Sequence, residues 1–166
     1  MVKCRLGSST SVSLTRNLTE IPTQILSLVR LEELNLSGNY LTHITEELYV
    51  LKNLRKLDLS HNLIRFIAPR GIENLKKLEY FNLEDNLLSE LPFGLGEILK
   101  LKELNIMENL FVSCFSFPHY TLAKNGTTVK VQWEKLSPLE RIPICRLYFL
   151  GNRDSCEYIT FYIWEI

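Results

Sequence analysis

Residues 54–64 read LRKLDLSHNLI, and one asparagine, Asn62, stands there among apolar residues. The apolar residues are four leucines and one isoleucine: Leu54, Leu57, Leu59, Leu63 and Ile64. Burying an amide without hydrogen-bond partners costs free energy, whereas burying one with partners costs little. An asparagine in this setting therefore indicates that the fold needs its amide at this point.

The same pattern recurs three more times along the chain. The segments LEELNLSGNYL at 31–41, LEYFNLEDNLL at 78–88 and LKELNIMENLF at 101–111 align with it position by position. Their asparagines follow one another at spacings of 23, 24 and 23 residues. Apolar residues spaced three apart also lead into every segment with the same period. Two markers with one period indicate an internal repeat, and a coiled coil is excluded because its seven-residue repeat is absent.

This L-x-x-L-x-L-x-x-N-x-L pattern resembles the leucine-rich repeat family, whose units span 20–29 residues. The likeness covers residues 12–111, because a degenerate first unit also fits once one residue is deleted: Val12, Leu14 and Asn17, followed by Ile21-Pro22. The resemblance implies an α/β solenoid, the leucine-rich repeat horseshoe. Its parallel sheet would hold one strand per repeat, and short helical or 3₁₀ segments would return the chain to the next strand.

The leucines predict the core of this solenoid. In each L-x-L segment successive side chains point to opposite faces, so Leu57 and Leu59 and their equivalents should face inward. No unit can bury its apolar face alone, and stacking of neighbouring units supplies the stability.

The recurring asparagines are predicted to satisfy backbone groups where the chain turns inward after each strand. Buried N–H and C=O groups need partners, and an asparagine amide offers both a donor and an acceptor. The family resemblance implies a ladder of stacked asparagines. Its predicted members are Asn17, Asn39, Asn62, Asn86 and Asn109.

The positions that the motif leaves free are predicted to face outward on the concave side of the sheet, where solenoids of this family bind partners. Sixteen residues between Glu33 and Glu108 form four rows there; six are acidic, and Lys56 is the one lysine. Tyr80 and Met107 are candidate anchors for a protein partner. We predict a non-catalytic interaction module or adaptor that binds another protein on this face, and a basic surface on that partner would complement the acidic residues. The alternative interpretation is that the face is only exposed to solvent and binds nothing. The predicted partner-binding residues are Lys56, Asp58, His61, Tyr80, Asn82, Glu84, Asp85, Glu103, Met107 and Glu108.

Catalytic and cofactor motifs are not found in the sequence. His61 and Asp85 share a row and are predicted to be neighbours, but a His–carboxylate pair needs a nucleophile or a metal for catalysis. An exposed ion pair is the simpler interpretation. The chain contains no phosphate-binding glycine loop, and its cysteine and histidine spacings match no standard zinc site. We therefore predict that the protein is not an enzyme and holds no metal or cofactor.

Composition limits the class of partner and the compartment. The 166 residues carry 19 Lys and Arg against 19 Asp and Glu, and this neutrality argues against a general nucleic-acid binder. The start, MVKCRLGSSTSVS, lacks the apolar stretch of a secretory signal, and no run approaches the length of a membrane span. We expect a cytoplasmic protein, with the nucleus as the alternative. The four cysteines (Cys4, Cys114, Cys145, Cys156) are then interpreted as free thiols rather than two disulfides.

The chain is divided into three parts on this evidence. Residues 1–11 form an N-terminal extension, 12–114 the solenoid of about five units, and 115–166 a β-rich C-terminal cap or tail. Strand-like segments lie at 129–133, 145–150 and 156–164. The order LSPLE at 136–140 resembles a box found in some ubiquitin-ligase substrate receptors, and NLFVSC at 109–114 resembles the start of a secreted-type cap. These likenesses leave two alternatives: a substrate-recognition subunit of a ubiquitin ligase, and an extracellular receptor-type fragment.

Overall fold

A computed structural model describes residues 10–15, 17–111, 118–131 and 159–160 of the chain. Its strands are β1 (Ser11–Ser13), β2 (Glu33–Asn35), β3 (His43–Ile44), β4 (Lys56–Asp58), β5 (Phe66–Ile67), β6 (Tyr80–Asn82), β7 (Glu103–Asn105), β8 (Thr128–Lys130) and β9 (Ile159–Thr160). Its helices are α1 (Thr23–Leu26) and α2 (His119–Lys124), and its 3₁₀ segments are η1 (Glu46–Val50), η2 (Ile72–Asn74) and η3 (Phe93–Glu97).

One long sheet runs through the molecule in the order β1-β2-β4-β6-β7-β8-β9. The first six of these strands are parallel, and β9 pairs antiparallel with β8. Each parallel strand comes from one repeat, and the short helical or 3₁₀ segments carry the chain to the next. A smaller parallel pair, β3 with β5, lies on the return path. The predicted α/β solenoid with one strand per repeat is therefore confirmed.

The alternation of the L-x-L segment explains which side chains are buried. Leu34, Leu57, Phe81 and Leu104 stand opposite one another at the centres of their strands, and all of them are buried. The strand residues on either side of them face outward. The leucines that begin each unit and those of the 3₁₀ segments close the other walls of the same core.

The degenerate first unit is a genuine coil of the solenoid. Strand β1 pairs in parallel with β2, with Val12 opposite Leu34. The register offset is 22 residues there, compared with 23 between β2 and β4, which is the predicted deletion of one residue.

The sheet continues beyond the fifth coil. Strand β8 pairs in parallel with β7, so that Val129 stands opposite Leu104, and both Val129 and Val131 are buried. The hydroxyl of Thr127 donates to the carbonyl of Leu101 at 2.8 Å. The segments predicted at 129–133 and 156–164 overlap β8 and β9, respectively, while 145–150 lies outside the described residues. The boundary at residue 114 stays a prediction, because 112–117 also lie outside them.

Several other predictions concern parts of the chain that are not described. All four cysteines and the segment 136–140 lie outside the described residues. Within the described part, no helix is long and apolar enough to cross a membrane.

The outward face of the sheet as a candidate interaction site

The asparagine ladder connects neighbouring coils through their backbones. The side-chain oxygen of Asn62 accepts from the N–H of Leu41 at 3.0 Å. Its amide nitrogen donates to the carbonyls of Leu36 and Leu59 at 3.0 Å and of Ser60 at 3.1 Å. Equivalent bonds connect three other buried asparagines to the preceding coil: Asn39, Asn86 and Asn109. Each amide thus satisfies backbone groups of two coils at once.

The structure places Asn17 differently from these four asparagines. Its side chain is exposed, and its backbone is left-handed with φ of 55°. That conformation matches Gly38 and His61, which come one position before a ladder asparagine. Because the first coil is one residue shorter between Leu14 and Leu18, Asn17 occupies the turn and not the ladder position.

The first outward row contains Glu33, Lys56, Tyr80 and Glu103, and two ion pairs connect its residues to neighbouring strands. The carboxylate of Glu33 lies 2.9 Å from the Lys56 ammonium, and the carboxylate of Glu103 lies 2.6 Å from the Lys130 ammonium. The hydrogen bond and charge of Lys56 lower the pKa of Glu33, and Glu33 in turn raises the pKa of Lys56. Tyr80, 40% exposed, stands between these pairs. Two of the six predicted acids are therefore neutralised by neighbours on the same face.

The second outward row contains Asn or Asp in each of four coils, and the structure gives these side chains a structural function. The side-chain oxygen of Asp58 accepts from the N–H of Ser60, two residues further on, at 3.0 Å, and from its hydroxyl at 2.7 Å. Asn35, Asn82 and Asn105 accept from the N–H two residues on in the same way, at 2.9–3.1 Å. Each of these Asx turns fixes the end of a strand. The sequence reasoning missed this function, although the recurrence of Asn or Asp at one position was its signal.

The fourth outward row holds ionisable residues in an unfavourable backbone conformation. His61, Asp85 and Glu108 have φ of 54°, 53° and 51°, in the left-handed region that glycine adopts without strain. Gly38 occupies the same position in the second coil, with φ of 66°. The predicted neighbours His61 and Asp85 do pair, with Nδ1 and Oδ2 at 2.9 Å, and both side chains are more than half exposed.

The ion pair in the fourth row affects the titration of His61. The hydrogen bond to Asp85 raises the pKa of His61, while partial desolvation opposes the rise. Because the folded-state pKa is the higher one, the pair stabilises the fold below the ordinary histidine pKa. This stabilisation is lost as pH rises through the folded-state pKa. Solvent screening keeps the effect small at this exposed position.

We expect Asp85→Asn to lower the pKa of His61 towards the ordinary histidine value. The variant removes the charge that favours the imidazolium while nearly keeping the shape of the side chain. An NMR titration of the imidazole would measure the change. Glu90→Gln, which removes an exposed carboxylate from another part of the surface, should leave the His61 pKa where it is. An unshifted pKa in Asp85→Asn would show that another group sets the titration.

The remaining acids concentrate at one end of the face. The carboxylate of Glu84 accepts from the amide of Asn105 at 2.9 Å, and Asp85 and Glu108 follow in the next row. Met107 is half-buried beside them. A concavity of about 490 Å³ lies along the first two rows, lined from Ser11 to Lys130. Five of the predicted residues line this concavity: Lys56, Asp58, Tyr80, Asn82 and Glu103. The other five lie outside its lining, and Asp58 and Asn82 also serve the turns. Among the described residues, no group of three His, Cys, Asp or Glu side chains is arranged to hold a metal ion.

The repeated strand, turn and ladder agree with the comparisons to known proteins. The family described as "Leucine rich repeat" matches residues 10–64, 29–88 and 52–111, which together span most of the described chain. The chain belongs to the leucine-rich repeat family. Proteins of this family bind other proteins through their repeats, and their fold is typically non-catalytic.

Similar proteins come from several biological settings. Toll-like receptor 8 of Homo sapiens is 38% identical over 109 residues, covering 57% of this chain and 10% of the receptor. Adenylate cyclase of Schizosaccharomyces pombe is 30% identical over 138 residues, covering 82% of this chain and 8% of the cyclase. A solved structure of a leucine-rich repeat protein from Leptospira interrogans is 30% identical, with a TM-score of 0.57 over 83% of this chain and 30% of that one. The chain thus spans at most about a tenth of these two curated relatives, and the match is to their repeats.

Proposed function

We propose that this protein is a non-catalytic interaction module, or adaptor, that binds another protein on the outward, concave face of its sheet. The observation that carries the proposal is the backbone of the fourth row. His61, Asp85 and Glu108 keep ionisable side chains where glycine would relieve strain, as it does at Gly38. Strained backbone conformations cluster at functional sites.

The proposed contact surface combines this row with the anchors beside it. Tyr80 is 40% exposed, and the Lys102 ammonium lies over its ring, 5.9 Å from the ring centre. Tyr80 therefore offers a partner both an apolar ring and a polar hydroxyl. Met107 lies near Glu84 and Glu108, where the acidic residues of the face are concentrated. A partner with a basic patch around one apolar group would complement this arrangement.

We expect the double variant Glu84→Lys/Glu108→Lys to lose protein partners while its melting temperature stays nearly unchanged. Reversing the charges of the half-buried Glu84 and the exposed Glu108 places like charges opposite a basic partner, which is costly at an interface. Affinity capture from cell extract with quantitative mass spectrometry, followed by titration of the partner identified, would measure the loss. Arg65→Glu/Arg70→Glu reverses two exposed charges away from the face and should retain the same partners.

A second variant separates loss of the side chain from damage to the fold. Glu108→Gly removes the carboxylate and places glycine at a φ of 51°, so stability should be kept or increase slightly. Affinity for the partner should still decrease. If both the double variant and Glu108→Gly bind the partner as the wild type does, this face is a solvated surface and the proposal fails.

The compartment is part of the same proposal, and we place the protein in the cytoplasm. A receptor-type fragment is the competing interpretation, and the similarity to Toll-like receptor 8 favours it. Counting thiols under denaturing, non-reducing conditions separates the two. Four free thiols support the cytoplasmic adaptor, whereas a disulfide at Cys114 supports the receptor-type fragment. The ubiquitin-ligase alternative remains a prediction from residues 136–140 alone.

A further inference from the structure

The chain enters each strand through a short turn, and these turns form one basic edge of the sheet. Because the strands are parallel, their starts lie side by side. The turns are residues 29–32, 52–55, 76–79 and 99–102, and we call them together the basic edge. They carry seven exposed cationic side chains: Arg30, Lys52, Arg55, Lys76, Lys77, Lys100 and Lys102. The same turns contain two carboxylates, Glu32 and Glu79.

The two carboxylates neutralise only part of this charge. Glu79 lies 3.1 Å from Arg55 and 2.5 Å from Lys102, and Glu32 lies 3.7 Å from Arg55. Glu32 is therefore paired with Arg55, and Glu79 is paired with both Arg55 and Lys102. Within the described part of the chain, four lysines of the edge have no ion pair: Lys52, Lys76, Lys77 and Lys100. Lys77 donates a hydrogen bond to the side-chain oxygen of Asn53 at 2.7 Å instead. A protein with zero formal net charge thus carries a local excess of positive charge on one edge.

Apolar side chains stand at both ends of the most exposed row of the basic edge. This row takes one residue from each of four coils, in the order Val29, Lys52, Lys76 and Leu99. Val29 is 57% exposed and Leu99 is 75% exposed. At the ordinary spacing of parallel strands, the two apolar residues are about 14 Å apart. The row therefore offers two apolar contacts with two lysines between them.

We propose that the basic edge is a second docking surface, which binds an acidic polypeptide segment with an apolar residue at each end. Charge complementarity requires an anionic partner. The flanking Val29 and Leu99 favour a polypeptide over a polyphosphate or nucleic-acid backbone, because those backbones have no apolar group to cover the two side chains. In an extended segment, about four residues span the distance of about 14 Å between the apolar positions.

The test uses a peptide of the order Leu-Glu-Glu-Glu-Leu, titrated into the full-length isotope-labelled protein at low salt and followed by NMR. We expect shift changes confined to the basic edge. Lys52→Glu/Lys76→Glu should weaken binding about tenfold, and Leu99→Ser should weaken it severalfold, since exposed ion pairs and apolar contacts each contribute modestly. A peptide with glutamine in place of glutamate should bind more weakly than the acidic one.

Two controls decide between local recognition and general charge attraction. Arg65→Glu/Arg70→Glu changes the net charge by the same amount away from the basic edge and should leave peptide binding intact. Equal loss in both double variants, or no binding by the wild type, would overturn the proposal. Tighter binding of a 12-nucleotide single-stranded DNA than of the peptide, with no effect of Leu99→Ser, would assign the edge to a polyanion instead.

This docking surface can be tested separately from the concave face, although Lys102 of the basic edge contacts the Tyr80 ring of that face. Glu84→Lys/Glu108→Lys should leave binding of the acidic peptide unchanged, because those residues lie at the opposite ends of the strands. Failure of the peptide experiment therefore does not bear on the proposed function, and failure of the concave-face experiment does not bear on the basic edge.

Discussion

Asn62→Ala is expected to lower the free energy of unfolding by about 3 kcal/mol, because it leaves several buried backbone groups without a partner. The asparagine side chain is 6% exposed. It accepts from one N–H and donates to three carbonyls, and two of these four groups belong to the preceding coil. Water cannot replace the amide without entering the core. Equilibrium denaturation in urea would measure the loss.

Two further asparagine variants test whether the ladder bonds cause the loss. Asn62→Asp keeps the acceptor for Leu41 but removes the donor to three carbonyls, so it should destabilise comparably. Asn17→Ala removes an exposed asparagine from a turn and should change stability by less than about 0.5 kcal/mol. A small loss in Asn62→Ala, similar to that in Asn17→Ala, would contradict the ladder as a source of stability.

The contrast between Asn62 and Asn17 shows what the repeat period can predict. A period of 23 or 24 residues fixes which side chains share a row, and the rows starting at Glu33 and Asn35 appear in the predicted register. The period also places His61 beside Asp85. It fails where the length of a coil changes. One missing residue in the first coil moves Asn17 from the ladder into the turn. Because Asn17 and Asn62 are both asparagines, residue type alone does not reveal this difference.

Asp58 shows that one residue type can serve either of two purposes. Asp58 is predicted as part of an acidic binding face, yet its oxygen closes an Asx turn, and its charge alone does not distinguish these two functions.

Strand β8 is predicted from the sequence as strand-like but not as a further parallel strand of the solenoid. It follows β7 at an offset of 25 residues, with valines in place of leucines, so the leucine pattern no longer marks it. The basic edge does not show in the composition, because the formal net charge of zero conceals a local excess of positive charge.

Gly96→Ala is expected to destabilise the fold by about 2 kcal/mol, since the added methyl group has no space. Gly96 is buried in η3, against α2. A Cβ at this position would overlap the hydroxyl of Thr121, lie 2.7 Å from its Cβ, and lie 3.4 Å from the Cβ of Pro118. The carbonyl of Gly96 also accepts from the Asn125 amide at 2.7 Å, so displacing α2 would break a second contact.

Matched glycine variants separate steric overlap from backbone strain in this prediction. Gly126→Ala adds a methyl group in open space at a φ of +73°, so it measures strain alone, about 1 kcal/mol. Gly94→Ala brings its Cβ to 3.0 Å from side-chain atoms of Glu73 and Ile72, a less severe approach than that at Gly96, and should cost less than Gly96→Ala. Thr121→Gly removes the overlapping atoms, so the double variant with Gly96→Ala should be more stable than the sum of the single effects. Strict additivity in urea denaturation would refute a collision between η3 and α2. Favourable coupling would show that α2 packs on the last coil as the continuing solenoid requires.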